Sequence, residues 1–383
     1  MSRIFAISSA LLSPVGHTPE QHMTALREQQ PAIRVFEDAA IAPGPFWASR
    51  LRPDQLQMIA ARYPGHGLAL SPFEQMCLYA VETAMAQTAV DIRSEDCILI
   101  LSTTKGNIEW LNRQPDDRIS LHRSAALIAE QLGLAHRPMI VSNACISGAL
   151  ALITGMRLLE GGHYRHAIVV GCDRFSSFIY SGFQSFHALA EGLCRPFDRD
   201  RKGINLGEAA ACMVLSVDET AGVEAPLARL MGGGVSNDAN HLSGPSRTGA
   251  ELAMAITQAM QQAALVPAQI GAISAHGTAT AFNDEMEAKA LTQAGVAHAP
   301  LHSFKSYTGH TLGAAGILES VVACMAMQQD ILPASLNYAA SGVSSPVNVQ
   351  ADTVAGRYDY VLKTASGFGG CNAALIWEKY LTT

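Results

Sequence analysis

Two stretches of the chain follow the same plan, and this internal repeat constrains the fold more than any other feature. Residues 138–159 read PMIVSNACISGALALITGMRLL, and residues 300–327 read PLHSFKSYTGHTLGAAGILESVVACMAM. Each stretch predicts a short strand, a polar loop with one reactive residue, and a helix rich in glycine and alanine. Each half of the chain then closes on a strand pattern, AACMVLSVD (210–218) or NAALIWEKY (372–380). We therefore expect two similar halves, 1–219 and 226–383, joined by the link TAGVEAP.

Alternating helix and strand patterns favour a layered α/β architecture in which the strands are buried on both faces. The other strand patterns are CILILSTT (97–104), HAIVVGCD (166–173) and IGAISAHG (270–277), and the other helix patterns cover 71–90, 122–134, 248–265 and 284–295. The small residues of the two repeated helices allow close backbone approach, so we expect both helices at the centre of the molecule. Their first turns would meet where the halves join. The glycine runs GGG (232–234) and GFGG (367–370) lack the pattern of a phosphate loop and are predicted to be turns.

Composition excludes several functional classes. Hydrophobic residues make up 49% of the chain and charged residues 15%, so a deep core is expected and a disordered chain is not. The net charge of −7 argues against a nucleic-acid binder, which normally has a basic surplus. No apolar run approaches the ~18 residues of a membrane helix, and Ser8 and Ser9 interrupt the apolar start. We expect a buried first strand and a cytoplasmic protein without a membrane span.

Cys145 lies at the predicted start of a helix, where free N–H groups and the helix dipole favour an anion. Such a position lowers a thiol pKa and favours a nucleophile, whereas the alternative is one more buried structural cysteine among the eight of the chain. Two histidines in glycine-flanked loops are candidate partners: His276 in AHGTAT and His310 in KSYTGHTLGAAG. The cysteines form no CxxC pair and no HExxH motif occurs, so no metal site is expected.

Five separated motifs resemble the β-ketoacyl-acyl-carrier-protein synthase family in order and spacing. They are ACISG (144–148), RPFDRDRKGINLGEAAACMVL (195–215), AHGTAT (275–280), KSYTGHTLGAAGILE (305–319) and SGFGGCN (366–372). The resemblance implies a thiolase fold with duplicated halves in αβαβα layers. It also implies a decarboxylative Claisen condensation that needs no cofactor, because the phosphopantetheine arrives on the carrier protein.

The resemblance assigns a role to each motif residue. Cys145 would accept the acyl chain, and neutral His276 and His310 would donate hydrogen bonds to the malonyl thioester oxygen as negative charge develops. The N–H groups of Cys145 and Phe368 would form the oxyanion hole, and Phe368 would also act as a gate. The resemblance also implies that Lys305 and Glu319 hold charge and orientation around His310, and that Thr278 and Thr280 hydrogen-bond the phosphopantetheine arm.

Three features depart from the family pattern. Ile146 follows the nucleophile where a smaller or more polar residue is usual, so it marks a position where substrate preference should be sought. Cys371 follows GFGG, as a second cysteine does in degradative thiolases, and is interpreted as a packing residue. The helix before residue 80 lacks a basic cluster for an acidic carrier protein. Docking is therefore expected at Arg195, Arg199, Arg201 and Lys202, with help from Arg50, Arg52 or Arg62.

Alternatives concern the partner and the product. Some family members work as heterodimers with a chain-length factor, so we expect a homodimer or a heterodimer with a second ketosynthase-like subunit. A scaffolding or length-setting role and a thiolase-like or hydrolytic activity stay open beside condensation. The stretch LSTTKGNIEWL (101–111) is similar to condensing enzymes associated with bacterial aryl-polyene pigments, which would make the product an unsaturated polyketide.

Overall fold

The computed structural model describes residues 3–64, 69–111 and 116–381. The strands are β1 (Ile4–Leu12), β2 (Arg34–Phe36), β3 (Phe46–Ser49), β4 (Cys97–Ser102), β5 (Met139–Val141), β6 (His166–Asp173), β7 (Leu206–Gly207), β8 (Ala209–Ser216), β9 (Ala228–Asn237), β10 (Ala272–Ser274), β11 (Pro300–His302), β12 (Ile331–Leu332), β13 (Asn348–Val349), β14 (Val354–Ala355), β15 (Tyr360–Gly367) and β16 (Cys371–Lys379). The helices are α1 (Pro19–Arg27), α2 (Pro53–Ala60), α3 (Pro72–Met85), α4 (Leu121–Leu132), α5 (Ser147–Glu160), α6 (Ser177–Ser185), α7 (Ala250–Gln262), α8 (Ala281–Gln293), α9 (Lys305–Thr308) and α10 (Ala315–Gln328).

The sheet topology confirms the duplication. Strands pair in the order β13-β11-β10-β15-β16-β9-β1-β8-β6-β4-β5. Counted outward from the β1–β9 contact, one half runs β1, β8, β6, β4, β5 and the other β9, β16, β15, β10, β11. Directions match as well, because the β1–β8, β6–β8, β9–β16 and β15–β16 pairs are antiparallel whereas β4–β6, β4–β5, β10–β15 and β10–β11 are parallel. The two halves repeat one folding unit.

Three apolar cores separate the layers and confirm the αβαβα arrangement. One outer core packs α3 and α4 against the sheet of the first half. The opposite outer core packs α7 and α8 against the sheet of the second half. The central core contains α5 and α10 between the two halves of this sheet. Both repeated helices are therefore in the middle layer, as their small residues predicted.

The first turns of α5 and α10 touch through glycine. A Cβ on Gly148 would lie 2.9 Å from the carbonyl oxygen of Gly313 and from the main-chain nitrogen of Ile317. A Cβ on Gly316 would lie 2.7 Å from the main-chain carbonyl carbon of Gly148. Real carbon atoms do not approach so closely, so glycine at both positions is what lets the two helix starts meet at the join of the halves.

The prediction of a turn at GGG (232–234) was wrong, because these glycines lie inside β9. Helix α7 crosses this strand so closely that a Cβ on Gly232 or Gly234 would enter the backbone of α7. A Cβ on Gly233 would lie 2.7 Å from the Ile153 side chain of α5. The glycines thus serve close packing on both faces of a strand. The GFGG motif does form the turn between β15 and β16.

The start of the chain forms the predicted buried strand β1, which is covered on both faces. Among the described residues, no helix has the length and apolar character that crossing a membrane requires.

Candidate active site

Cys145 lies in a tight turn between β5 and α5. The turn is held by Ser147, whose hydroxyl donates to the carbonyl oxygen of Ala144 at 2.6 Å and accepts the N–H of Asn143 at 2.8 Å. Ala144 has a φ of 45°, a left-handed conformation that an alanine adopts at a cost of about 1 kcal/mol. Ala144 directly precedes Cys145, and α5 begins two residues after Cys145, at Ser147. The structure therefore fixes Cys145 at the helix start predicted from the sequence.

The protonation state of Cys145 differs from the expectation. Burial raises the pKa of this thiol to about 12, and the nearby Cys371 thiol acts in the same direction. Lys305 and a hydrogen bond donated by the main-chain N–H of Phe368 lower the pKa, but burial outweighs them. The sequence predicted a lowered pKa from the helix terminus alone. The structure instead favours the neutral thiol, which would have to lose its proton before it could act as a nucleophile.

His276 is held as a neutral ring by its neighbours. Its main-chain N–H is hydrogen-bonded to Glu287 (2.8 Å) and Thr364 (3.1 Å). The Lys305 ammonium lies 2.7 Å from the His276 carbonyl oxygen and 3.3 Å from Nδ1. Burial first, and then the positive charge of Lys305, place the pKa of His276 well below its usual value. Because Lys305 donates to Nδ1, the remaining proton of the ring is on Nε2, which makes Nε2 a hydrogen-bond donor.

His310 is buried beside it, with the two rings edge to face and their centroids 5.5 Å apart. Its main chain links α9 to β7, because its N–H donates to the Asn205 carbonyl at 2.8 Å and its carbonyl accepts from Gly207 at 2.9 Å. Burial lowers the pKa of His310 to about 3. Neither ring nitrogen has a hydrogen-bond partner among the described residues. A buried polar ring without partners is what a site that awaits a substrate oxygen would show.

Behind the histidines lies a buried chain of charges. Glu319 accepts from Lys305 through Oε1 at 2.6 Å and from Lys363 through Oε2 at 2.7 Å. The two lysine side chains have no exposed surface, and that of Glu319 is 3% exposed. The two lysines hold the pKa of Glu319 below its usual value against the effect of burial. These are interior ion pairs, not a pair on the surface.

A cavity of about 330 Å³ brings the predicted residues together. Cys145, His276, His310 and Phe368 line it, as do Thr278 and Thr280. The two threonine hydroxyls are hydrogen-bonded to each other at 2.8 Å. The structure therefore brings Cys145 of one half together with the two histidines of the other. Within the described residues, no group of three or more His, Cys, Asp or Glu side chains could hold a metal ion.

Two protein-family models match the sequence: "Beta-ketoacyl synthase, N-terminal domain" over residues 1–221 and "Beta-ketoacyl synthase, C-terminal domain" over residues 227–339. The chain belongs to the β-ketoacyl synthase family. The 3-oxoacyl-[acyl-carrier-protein] synthase 2 of Mycobacterium leprae is 32% identical over 272 residues, which are 66% of this chain and 64% of that protein. The enzyme of the same name from Mycobacterium tuberculosis is 32% identical over 254 residues, 62% of this chain and 60% of its own length. The chain thus spans less than two thirds of these curated relatives.

Solved structures match 99% of this chain. The ishigamide ketosynthase/chain length factor superposes with a TM-score of 0.89 at 25% identity, covering 99% of this chain and 100% of the other. The ketosynthase ApeO in complex with its chain length factor ApeC, from Xenorhabdus doucetiae, gives a TM-score of 0.83 at 27% identity, with 99% and 98% covered. A β-ketoacyl synthase from Burkholderia phymatum, at 23% identity and a TM-score of 0.85, shares the fold. The thiolase fold predicted from the motifs is confirmed.

The basic residues expected to dock a carrier protein differ in their surroundings. The Arg199 side chain is 71% exposed, Lys202 is exposed at the cavity, and Arg195 is 39% exposed beside Asp198. Arg201 is only 8% exposed. Its guanidinium donates to four carbonyl oxygens, those of Asp198, Thr280, Ala281 and Gly342. Arg201 therefore ties loops of the two halves together and presents little surface to a partner.

The three additional arginines are engaged elsewhere. Arg50 pairs with Asp38 at 2.8 Å and Arg52 with Asp54 at 3.1 Å, while the Arg62 guanidinium lies over the Tyr79 ring.

Ile146 and Cys371 are both buried in the central core. The Ile146 side chain is not among the cavity-lining residues, whereas the Cys371 thiol donates to the Phe368 carbonyl at 3.4 Å.

Several site residues were missed by the sequence reasoning. Lys363 is one, although a lysine inside the apolar run VLKTASG could have drawn attention to a buried charge. Phe183 and Phe186 on and after α6 pack on the Phe368 ring, with centroids 5.5 and 5.1 Å away. Their stretch has no motif that signals a site. Glu287, which holds the His276 main chain, could have been suspected from the acidic start of the predicted helix 284–295.

Proposed function

We propose that this β-ketoacyl synthase condenses an acyl thioester with malonyl-acyl carrier protein and extends the chain by two carbons, with loss of carbon dioxide. The observation that carries the proposal is the meeting of Cys145, His276 and His310 in one cavity, with the Phe368 N–H directed at the thiol. The unpartnered ring of His310 and the fixed Nε2–H of His276 supply the two donors that this chemistry needs.

The first half-reaction is acyl transfer. The Cys145 sulfur attacks the acyl-carrier thioester, and the N–H groups of Cys145 and Phe368 stabilise the oxyanion. Because the resting thiol is neutral, a ring nitrogen of His310 takes its proton and returns it to the departing carrier thiol. The products are an acyl-cysteine and the free carrier thiol, so no redox partner or metal is required.

The second half-reaction starts with malonyl-carrier protein. The bond to the carboxylate breaks, carbon dioxide leaves, and the electron pair develops as an enolate on the thioester oxygen. His276 Nε2–H and a ring N–H of His310 stabilise that oxygen as neutral donors. The resulting carbanion attacks the acyl-cysteine carbonyl, and the Cys145 sulfur leaves as a thiolate that takes from solvent the one proton consumed by the reaction. The product is a 3-oxoacyl-carrier thioester.

The phosphopantetheine arm would reach the thiol through the cavity. Thr278 and Thr280 line this path, and their mutual hydrogen bond can be exchanged for bonds to the amides of the arm. Phe368 lies against Phe183 and Phe186, and glycines with φ of 84° and 77° follow it in the loop. We assign it the role of a gate between arm and acyl chain.

Acylation of Cys145 tests the catalytic proposal. The protein is incubated with acyl-carrier protein, digested, and analysed by mass spectrometry for the acyl mass on the peptide with Cys145. We expect modification of the wild type and of Cys371→Ser, the neighbouring-thiol control, and none of Cys145→Ala. An unmodified wild type under conditions that acylate a control synthase would contradict the proposal. Loss of acylation in Cys371→Ser would favour a thiolase-like site with two working cysteines.

Docking of the acidic carrier protein is proposed at Arg195, Arg199 and Lys202. Lys202 lines the catalytic cavity and shares a separate surface pocket with Arg195, and the Arg199 side chain is exposed. Long-range attraction mainly accelerates encounter. Arg199→Glu with Lys202→Glu should raise KM for carrier-bound substrates while leaving free pantetheine thioesters unaffected. Arg201→Ala, by contrast, should lower the thermal midpoint, because it removes interior hydrogen bonds. Equal KM effects on both substrate types would contradict docking at this surface.

We propose a dimer, either of two copies or with a second ketosynthase-like chain. Strand β5 ends the main sheet and carries the half-exposed Met139, so its outer edge is open for pairing. Similarity to the ApeO–ApeC complex and to the ishigamide ketosynthase/chain length factor supports a heterodimer. The resemblance of residues 101–111 to aryl-polyene condensing enzymes supports a polyene-type product. Light scattering of the chain alone and with such a partner separates the two, and a stable monomer in both samples would contradict the dimer.

A scaffolding or chain-length-setting role is the second candidate, since two structural relatives include chain length factors. In the producing cell, Cys145→Ala would then leave product formation intact although deletion of the whole chain abolishes it. The retained Cys-His-His site favours the catalytic role, for which Cys145→Ala abolishes product.

We also propose that the chain consists of the two halves 1–219 and 226–383, and that the protein acts in the cytoplasm.

A further inference from the structure

Lys363 is a fully buried cation that has no role in the two half-reactions proposed above. It lies on β15, where residues 361–366 are buried throughout. Its ammonium is 2.7 Å from Oε2 of Glu319 and donates to the main-chain oxygens of Ser274 and Thr364. An unpaired interior ammonium would be strongly destabilising, so this complete set of partners shows a built position for the charge.

Glu319 connects Lys363 to the catalytic histidine. Each lysine takes a different oxygen of the carboxylate, Lys305 at Oε1 and Lys363 at Oε2, so the carboxylate is held from both sides. With Oε2 occupied, Lys305 cannot form a bidentate pair with Glu319. Its remaining donors are directed to the Nδ1 and carbonyl oxygen of His276.

The elements packed around Lys363 and Glu319 contribute further charged and titratable side chains. Helix α8 contributes Glu287, which accepts from His276, Gly277 and the Thr364 hydroxyl. It also contributes the buried Asp284, which faces Arg201. His302 of β11 and His310 are the other titratable rings that Lys363 influences, and its charge acts to lower the pKa of both. Two lysines thus face Glu319 and Glu287, and removal of Lys363 leaves a buried negative excess.

We propose that Lys363 is a positioning residue for the decarboxylation half-reaction. By holding the second oxygen of Glu319, it keeps Lys305 against His276 Nδ1 and therefore keeps His276 as an Nε2–H donor. The inference rests on the proposed function, in which that donor stabilises the enolate oxygen. Acyl transfer to Cys145 uses the oxyanion hole and His310, which Lys363 affects only through its charge, so this step depends on Lys363 less than decarboxylation does.

The test separates the half-reactions in Lys363→Met, which keeps a long side chain without charge. Carbon dioxide release from labelled malonyl-carrier protein measures decarboxylation, and mass spectrometry measures the acylation rate of Cys145. We expect decarboxylation to fall about 10- to 100-fold through kcat, with acylation and KM within about twofold of wild type. The matched control is Lys379→Met, another paired lysine in the same sheet but away from the cavity, which should leave both rates unchanged.

Two outcomes would overturn the role of Lys363: unchanged decarboxylation, or an equal loss of both half-reactions. If Lys363→Met does not fold, the double variant Lys363→Met/Glu319→Gln removes opposite charges together and keeps the interior neutral. It should show the same split between half-reactions, and wild-type decarboxylation in it would again refute the role. A wild-type protein that releases no carbon dioxide would instead contradict the proposed function, independently of Lys363.

Discussion

Buried histidines should make decarboxylation nearly independent of pH between 7.5 and 5.5. The pKa of His310 is lowered to about 3 and that of His276 lies well below 6.5, so both rings stay neutral over this range. With an ordinary pKa of 6.5, each ring would be neutral in about 9% of molecules at pH 5.5, and both together in about 1%. The structure therefore predicts a rate that changes less than about twofold, against a fall of about 100-fold for exposed rings.

The assay follows labelled carbon dioxide released from malonyl-carrier protein at saturating concentration, with folding checked by circular dichroism at every pH. Cys145→Ala, which removes the thiol but leaves both rings, serves as the matched variant and should show the same flat profile. A decrease of tenfold or more between pH 7.5 and 5.5 in a folded protein would refute the conclusion that burial keeps the histidines neutral.

The same burial makes the fold sensitive to acid. A histidine whose folded pKa is below its unfolded value binds its proton first in the unfolded chain, so stability is full above about pH 7 and falls as the pH falls toward 4. The pKa of His22 is lowered to about 4, mainly by burial, and its ring contacts the Ser13 hydroxyl and the Thr18 carbonyl. It should account for about 1.4 kcal/mol of lost stability at pH 5.5. In urea titrations, His22→Gln should lose that much less than wild type between pH 7.5 and 5.5, and identical losses would contradict the assignment.

Further variants test the packing and the site. Gly316→Ala forces a carbon into the first turn of α5 and should destabilise by about 1–3 kcal/mol, seen as a lower thermal midpoint, and an unchanged midpoint would contradict the contact. Glu319→Gln removes the ion-pair partner of two buried lysines and should cost about 3–5 kcal/mol in urea unfolding. The pair of Glu378 with Arg229, in which each side chain is 25% exposed, gives a control, because Glu378→Gln should cost about 0–1 kcal/mol. Thr278→Val should raise KM for malonyl-carrier protein with little change in kcat, and a change in kcat alone would exclude a binding role.

Much of the fold follows from local patterns because the two halves repeat them. The predicted strand 166–173 coincides with β6, and the predicted helices 122–134 and 248–265 contain nearly all of α4 and α7. The prediction of a turn at residues 232–234 failed because a run of glycines occurs both in turns and in strands that a helix crosses closely. Only the position of α7 decides between the two, and that position is set by tertiary packing.

The candidate site was predictable where a motif carries it and unpredictable where distant packing does. Cys145, His276 and His310 were found through the resemblance, and the structure brings them together. The pKa direction of Cys145 could not be predicted, because a helix start favours the thiolate whereas burial opposes it, and the sequence does not measure burial. Lys363 was missed because its partner Glu319 lies 44 positions earlier and on a different element.

Condensation itself tests the central claim most directly. Acyl-carrier protein and carboxyl-labelled malonyl-carrier protein are mixed with the protein, and intact-mass spectrometry of the carrier is combined with counting of released carbon dioxide. We predict a 3-oxoacyl-carrier product two carbons longer than the starter, with one carbon dioxide released per product, and no product with Cys145→Ala. Elongation that persists in Cys145→Ala, or an acylated wild type that never elongates, would contradict the account.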